Sequence, residues 1–155
     1  MSLDELRYKE RQVRAIMDRN GLDALLIRSV SNFAWLTGGA SNWVSVNAAE
    51  GNSWLLFLPD GKHVIANNLA AQGYQFEITP WYAADDVVAR LAQRLKLGAD
   101  GVYPGAVNIA ADLAAWRMLL LKGEQDLMRQ IGRWAGEAIQ AAARQVRPGM
   151  TESEI

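Results

Sequence analysis

The chain has 155 residues, of which 50% are hydrophobic and 21% charged, a composition typical of one folded domain. Its 16 Lys and Arg balance 17 Asp and Glu, so no basic face is implied and we expect no nucleic-acid partner. The absence of cysteine excludes a disulfide scaffold, a thiolate metal site and a cysteine nucleophile. The longest apolar run, about six residues, is too short to span a membrane, and the polar N-terminus does not resemble a signal peptide. We therefore expect a cytoplasmic chain without a membrane partner.

The first part of the chain predicts a helix followed mostly by extended segments. Ser2 with Glu5 three residues later is a capping-box pattern, and Gly21 supplies a left-handed stop, so these residues bound the first helix. Apolar runs and turn residues bound the other segments. The elements predicted here are a helix over 3–20, a strand at 23–27, a helical turn over 31–39 with Ser31 as its cap, a weak strand at 43–47 and a hairpin over 53–66.

The rest of the chain alternates helix and strand to about residue 105 and is helical afterwards. Asp85 and Asp86 open a predicted helix, because acidic side chains in a first turn are favoured by the helix dipole. Gly123 is expected to separate two C-terminal helices, and Pro148 closes the second. The elements predicted here are a helical stretch near 67–73, a strand at 76–79, a helix over 85–98, a strand at 101–103, a helix from 109 to 120 and a longer helix over 124–147.

The end of the chain carries a second capping-box pattern, Thr151 with Glu154, which is typical of a helix about to begin. The sequence stops one residue later. We therefore expect an excised N-terminal domain whose parent continues, with 124–147 as a connecting helix that packs on the missing part. The alternative is a frayed tail that happens to carry this pattern.

Few residues of this chain support catalysis. His63 is the only histidine, and no serine lies in a G-x-S-x-G elbow, so a Ser-His-Asp triad is disfavoured. A single histidine also excludes an H-E-x-x-H zinc site. The paired Asp85 and Asp86 are better interpreted as helix N-terminal acids than as metal ligands. We predict no catalytic residue and no metal ligand in this chain.

Aromatic side chains are abundant, with six tryptophans. Trp54 lies within an apolar run and is expected in the core, whereas Trp43 and Trp81 flank loops and are candidates to line a pocket or an interface. Trp134 lies on the apolar stripe of the last helix, where a tryptophan more often packs inward than meets a partner. The sequence alone leaves the roles of Trp43 and Trp81 open.

Four segments, in this order and spacing, resemble the N-terminal domain of the pita-bread metallohydrolases, the family of creatinase, prolidase and Xaa-Pro aminopeptidase. The segments are 20–27, 32–39, 54–61, and 123–132 with its continuation to 147–155. The resemblance implies an α/β fold with a mixed central sheet flanked by helices and a long C-terminal connecting helix. It also implies that 1–122 form the N-terminal domain and that 123–155 form the connecting helix and the truncated start of a missing catalytic domain.

The resemblance further implies a function for the chain. It is expected to be the non-catalytic domain of a metal-dependent peptidase-like hydrolase of the Xaa-Pro peptidase or creatinase type, serving oligomerisation and access to the active site. A divalent metal pair (Mn, Co or Zn) is expected in the full-length parent, where the missing domain supplies the ligands. The expected partners are a second copy in a homodimer, the chain's own catalytic domain, and a peptide or small amide substrate.

Some residues match a part of the family domain that can approach a partner subunit's active site. They are Trp35, Gly38, Gly39, Asn42 and Trp43. We hypothesise that they contribute substrate contacts or a lid across a homodimer; alternatively, Trp35 is core and the glycines only end a helical turn. Departures from relatives at 67–72 and 122–125 leave the subfamily and the substrate open. Two other functions stay open: a stand-alone small α/β binding or interaction domain, and an α/β enzyme with an unrecognised carboxylate site.

Overall fold

The computed structural model describes residues 2–43, 45, 47–66, 75–78 and 81–154, with the main chain alone at 75–78 and 81. These residues form two compact units, Ser2–Leu119 and Leu120–Ile155, which are described separately. In the described part of the chain, no helix is long and apolar enough to cross a membrane.

The described residues of the first unit form a six-stranded sheet and four α-helices. The strands are β1 (Ala24–Ser29), β2 (Glu50–Leu58), β3 (Gly61–Ala66), β4 (Gln75–Ile78), β5 (Leu97–Ala99) and β6 (Val107–Asn108). The helices are α1 (Leu3–Asn20), α2 (Val30–Thr37), α3 (Ala84–Leu91) and α4 (Ala110–Arg117), with a short 3-10 turn at Trp81–Ala83. The second unit contains α5 (Lys122–Ala143) and a 3-10 turn at Glu152–Glu154.

The sheet is mixed, with strand order β4-β3-β2-β1-β5-β6. Among the strands that the structure describes, β2 alone runs antiparallel to both of its neighbours. Its Leu56 pairs with Leu26 of β1 on one side and with His63 of β3 on the other. The remaining neighbours pair in parallel. The mixed central sheet flanked by helices is therefore confirmed, and so are the predicted hairpin and, over 76–78, the predicted strand before α3.

Two apolar layers hold the first unit together, because successive side chains of a strand point to opposite faces. Leu25 and Ile27 face α1, α2 and α4, while Leu26 and Leu56 face α3. Each such side chain is fully buried, and burying one contributes roughly 1.5–3 kcal/mol. The sheet thus lies between two helical layers, and the connecting loops lie at the ends of its strands.

Two helix starts show how local hydrogen bonding sets the boundaries. At α1 the predicted capping box is present, with the Glu5 amide donating to the Ser2 hydroxyl at 3.2 Å. At α2 the predicted cap is wrong: Ser29, not Ser31, is the N-cap, and its hydroxyl accepts from the Asn32 amide at 3.3 Å. The N-cap therefore lies two residues earlier than predicted, directly at the end of β1.

Three extended or helical segments differ from the sequence predictions. Trp43, Ser45 and Asn47 lie in no strand, because the chain turns there and the Ala48 amide donates to the Ser45 carbonyl at 3.0 Å. The helix expected over 85–98 ends at Leu91, and 97–99 form β5, so the strand expected at 101–103 is wrong by four residues. The helical stretch expected near 67–73 lies outside the described residues.

Gly98 lies inside β5, although the pattern over 85–98 predicts it as the end of a helix. Glycine there serves close packing, since an added Cβ would lie 2.5 Å from Cδ1 of Leu22. The chain leaves α3 through Arg94, whose φ of 67° lies in the left-handed region. A non-glycine residue in that conformation is uncommon. Because Arg94 occupies the position where a glycine is usual, the sequence carries no glycine signal for the end of α3.

The C-terminal helices also differ from the predictions. α4 ends at Arg117, and Gly123 lies in the first turn of α5, so the break falls at 118–121 instead of at the glycine. α5 ends at Ala143, before the expected 147. Trp134 is 57% exposed, so the expectation that it packs inward is wrong. At the end of the chain, the Thr151 amide donates to the Glu154 carboxylate at 2.8 Å, as the capping pattern predicted.

Candidate contact site at the carboxyl edge of the sheet

The sheet topology brings three strand ends together at one edge. β1 and β5 are parallel neighbours, so their carboxyl ends meet, and antiparallel β2 starts beside them with Glu50 opposite Ser29. In open α/β sheets, ligands bind outside the carboxyl ends of the strands. From β1 the chain enters α2, and from β5 it passes through β6 into α4, which packs on the same face of the sheet as α2. This edge is the first place to look for functional side chains.

Asp100, the residue after β5, organises this edge. Its buried carboxylate accepts hydrogen bonds from the Arg28 amide at 2.9 Å and from the Ser29 amide and hydroxyl at 3.0 and 2.7 Å. The Asn32 side-chain amide donates to it at 3.1 Å. Four donors around one carboxylate tie the end of β1 and the start of α2 to β5, since hydrogen bonds to a charged group are the stronger ones.

The network continues to α4 through Asn32. Arg117 donates to Oδ1 of Asn32 at 3.0 Å and also to the hydroxyl of Ser31. Ser31 therefore has a partner outside its own helix, although it does not cap it. The polar contacts at this edge span residues that are up to 86 positions apart in the chain.

Arg28 occupies the opposite face of the same edge. Its guanidinium lies 5.6 Å from the ring centroid of Trp54 and 5.0 Å from that of Tyr103, which are cation–π distances. It also donates to Glu50 at 2.7 Å and to the Val102 carbonyl at 2.8 Å. The Tyr103 hydroxyl donates to Asp85 at 2.9 Å; burial, and then this hydrogen bond, raise the pKa of Tyr103 above its ordinary value. These contacts hold the loop after β5 against β1 and β2.

Trp54 is only half buried, contrary to its expected place in the core. It packs on the edge of the α3 layer, its indole N–H donates to the Gly51 carbonyl at 3.0 Å, and its ring meets Tyr103 edge to face. An indole at a strand edge can pack its ring and still satisfy its N–H there. Trp81, which with Trp43 is a candidate to line a pocket or an interface, lies outside the residues whose side chains are described.

The five residues predicted as contacts surround the end of α2, beside this edge. Trp35 is buried against the first core layer, with the Lys9 ammonium 5.3 Å from its ring centroid and donating to its carbonyl at 3.0 Å. Gly38 and Gly39 have φ values of 80° and 103°, which ordinary side chains avoid, and they end the helix. These three residues shape and support the turn.

Asn42 and Trp43 follow the turn and differ sharply in exposure. Asn42 is buried, with 2% of its surface exposed, and its side-chain amide donates to the Ser53 carbonyl of β2 at 2.7 Å. Trp43 is 48% exposed. Of the five predicted contact residues, Trp43 therefore offers a large aromatic surface to another molecule, while Asn42 faces the sheet. Their assignment as substrate or partner contacts stays a prediction.

The titratable residues set aside in the sequence lie apart from one another. His63 is buried on β3, 3.8 Å from Asp60, and no described residue is hydrogen-bonded to either ring nitrogen. Asp85 lies in the first turn of α3, where it accepts from Tyr103, and Asp86 follows it. Within the described ranges, no three His, Cys, Asp or Glu side chains are grouped closely enough to hold a metal ion. The expected metal pair has no matching ligand set there, so we assign it no step in this chain.

The network around Asp100 was missed at the sequence level. Asp100 follows the apolar strand 97–99, and an acid at a strand's carboxyl end is a recognisable pattern. The helix predicted over 85–98 hides that pattern, because it includes the first two residues of β5. Arg28 and Arg117 carry no local signal at all.

Comparison with known proteins identifies the fold family. The model of the Creatinase/Prolidase N-terminal domain matches residues 10–116, which include the sheet, α2 and the turn that follows it. The chain belongs to this family. The resemblance noted in the sequence is thereby confirmed, although no curated protein matches the chain significantly.

Two solved structures share the fold of this family member. The prolidase from Pyrococcus horikoshii OT3 is 18% identical with a TM-score of 0.72, over 95% of this chain and 45% of that one. An Xaa-Pro aminopeptidase from Streptococcus pyogenes is 20% identical with a TM-score of 0.51, over 66% of this chain and 79% of that one. This chain thus spans less than half the length of the prolidase. At such identities, the likeness shows the fold alone.

Proposed function

We propose that the chain is the non-catalytic N-terminal domain of a metal-dependent peptidase-like hydrolase of the Xaa-Pro peptidase or creatinase type. In this proposal its own work is to support oligomerisation, as a homodimer, and to restrict access to the active site. Residues 1–122 form the domain, and 123–155 connect it to a catalytic domain that holds the divalent metal pair (Mn, Co or Zn). The full-length protein is cytoplasmic and acts on a peptide or a small amide.

The observation that carries the proposal is the apolar side of α5. This helix is 22 residues long, and none of its residues is buried. Its exposed apolar side chains include Leu127, Met128, Ile131, Trp134 and Ile139. An amphipathic helix derives most of its stability from packing its apolar face against a partner. A catalytic domain in the same chain is the partner that family membership supports.

The exposed Trp43 supports the second part of the proposal, the role in access. It follows the turn that matches the family's partner-facing segment, directly after Asn42, which is hydrogen-bonded to β2. Aromatic residues are enriched where proteins contact peptides and other subunits, because a large rigid ring contributes contact area at a low entropy cost. We assign Trp43 to contact with substrate or with the partner subunit.

Hydrolysis assays test the proposal directly. We would compare the 155-residue chain with its longest natural reading frame, using Xaa-Pro dipeptides and creatine with added manganese. Activity in the long form alone is the expected result, and the substrate cleaved names the subfamily. Activity in the short chain would contradict a non-catalytic role and direct attention to His63 and the carboxylates.

A second comparison separates the proposal from a stand-alone binding or interaction domain. A reading frame that ends near Ile155, or a long form that cleaves none of these substrates, would favour that alternative. For the access role, Trp43→Ala in the long form is expected to raise KM or weaken dimerisation by several-fold. Unchanged kinetics together with an unchanged dimer affinity would contradict it.

A further inference from the structure

We propose that Asn42 is a positioning residue, which fixes the segment 38–43 on β2 so that Trp43 is presented in a preformed position. The inference rests on the proposed function, because it assigns Asn42 a role within the same contact surface. Asn42 acts through Trp43 and does not itself touch substrate or partner.

Two hydrogen bonds join Asn42 to the start of β2. Its side-chain Nδ2 donates to the Ser53 carbonyl at 2.7 Å, and its main-chain carbonyl accepts from the Asn52 amide at 2.9 Å. The side chain is buried, so these bonds are made away from competing water. One residue thereby attaches the segment to the sheet through both its main chain and its side chain.

Gly51 forms a cradle for this side chain. A Cβ at Gly51 would overlap Nδ2 and Cγ of Asn42 and would lie 2.5 Å from the main-chain oxygen of that residue. Contacts this short cannot be relieved by rotating a side chain, because one of them is with the backbone. The carbonyl of Gly51 in turn accepts from the Trp54 indole. A glycine is required here so that Asn42 can pack directly on the strand.

The other end of the segment is fixed as well. The Gly39 amide donates to the Ala34 carbonyl at 2.8 Å, and the Ala40 amide donates to the Thr37 hydroxyl at 3.2 Å. Only a few residues separate this end from Asn42. The main chain leading to Trp43 is therefore held at both ends, although the Trp43 ring itself is exposed.

A preformed contact surface binds more tightly than one that must be ordered on binding, because less conformational entropy is lost. Loosening the segment should therefore weaken the contacts that Trp43 makes and leave the chemistry in the catalytic domain unaltered. The expected effect is a rise in KM, or in the dimer dissociation constant, of about threefold to tenfold with kcat little changed.

The test uses three variants with a matched control. Asn42→Ala removes the side-chain bond, Asn42→Asp keeps its size but removes the donor, and Gly51→Ala displaces Asn42 without altering it. Gly101→Ala is the control, since its nearest neighbour would be Glu50 at 4.0 Å. Two measurements report how firmly the segment 38–43 is held. Hydrogen exchange is followed at the Asn52 amide, and acrylamide quenching is followed for the Trp43 fluorescence, which is obtained by difference from Trp43→Phe. KM, kcat and dimer affinity are measured in the longest natural reading frame.

We expect the first three variants to exchange faster at Asn52, to be quenched more strongly and to raise KM or the dimer dissociation constant, while Gly101→Ala does none of these. Unchanged exchange and quenching in Asn42→Ala would overturn the inference. The inference would also be overturned if the segment is loosened while KM and dimer affinity stay unaltered, provided that Trp43→Ala does alter one of these two quantities. If Trp43→Ala also leaves both unaltered, the proposed contact role fails, and the positioning role fails with it.

Discussion

The two units of the chain use their apolar residues in opposite ways. In Ser2–Leu119 the apolar side chains are buried in two layers on either side of a sheet. In Leu120–Ile155 a helix of 22 residues keeps its apolar side chains exposed and is supported by local bonds, including those from Lys122 and Arg129 to Asp126. The first unit thus buries its apolar residues against one another, whereas the apolar side of α5 is exposed, which is the feature that the proposed catalytic domain would explain.

The test with the largest expected effect replaces one leucine in each unit. Leu26→Ala, at a fully buried position in β1, is expected to lower the free energy of unfolding by about 2–5 kcal/mol, because it leaves a cavity between the sheet and α3. Leu127→Ala, at a position 53% exposed, is expected to change it by less than about 0.5 kcal/mol. Urea denaturation of the 155-residue chain measures both. Equal losses would show that the face of α5 is buried in this chain after all.

A second test asks whether the polar edge stabilises the first unit as its apolar layers do. Asp100→Ala leaves the Ser29 and Asn32 donors without their acceptor, so we expect a loss of about 3 kcal/mol. Asp100→Asn keeps the shape but lacks the charge and one acceptor, so its loss should be smaller. Asp18→Ala, at an exposed position on α1, is the control. If Asp100→Ala unfolds no more easily than the control, the network contributes nothing to stability.

The elements of the fold that could be predicted are those with a local cause. The capping box of α1, the left-handed Gly21 and the turn at 59–61 each fix a boundary within a few residues of themselves. The cap of α2 could not be distinguished in the same way. Ser29 and Ser31 are both suitable N-caps, and the choice depends on Asp100, which holds Ser29 at the end of β1.

The candidate site was predictable only in part, for the same reason. The turn at Gly38-Gly39 and the aromatic Trp43 are visible in the sequence, because glycine and tryptophan mark such places. Their support is not visible: Asn42 is held by Ser53, eleven residues later, and Asp100 by residues about 70 positions earlier. Long-range hydrogen bonds leave no periodic pattern in the chain, so only the folded structure reveals them.

Glycine substitutions sharpen the comparison further. Gly98→Ala is expected to destabilise the chain by about 1–3 kcal/mol, because its Cβ would meet the Leu22 side chain at 2.5 Å in a packed layer. Gly132→Ala lies in α5 with nothing within 4 Å, so the higher helix propensity of alanine should stabilise that helix by up to about 1 kcal/mol. Denaturation measures the change in the free energy of unfolding for Gly98→Ala. Circular dichroism measures the change in helix content for Gly132→Ala. A destabilising Gly132→Ala would show that α5 already packs closely on something in this chain.

The smallest expected effect is the acid response of α5. A hydrogen bond from Lys122, followed by the nearby charges of Lys122 and Arg129, lowers the pKa of Asp126 below its usual 3.8. A carboxylate with a lowered folded-state pKa stabilises the fold above its unfolded-state pKa, and that contribution disappears as the pH falls through the lowered value. We therefore expect a small decrease in helix content when the pH is lowered below about 4. The pKa of Glu154 is also lowered, by its bonds to Thr151. Comparing the pH dependence of helix content in the unaltered chain and in Asp126→Asn separates the contribution of Asp126 from that of Glu154. If the unaltered chain and Asp126→Asn give identical titrations, these exposed bonds do not support the helix. The packing of its apolar face against a partner would then be the main source of its stability.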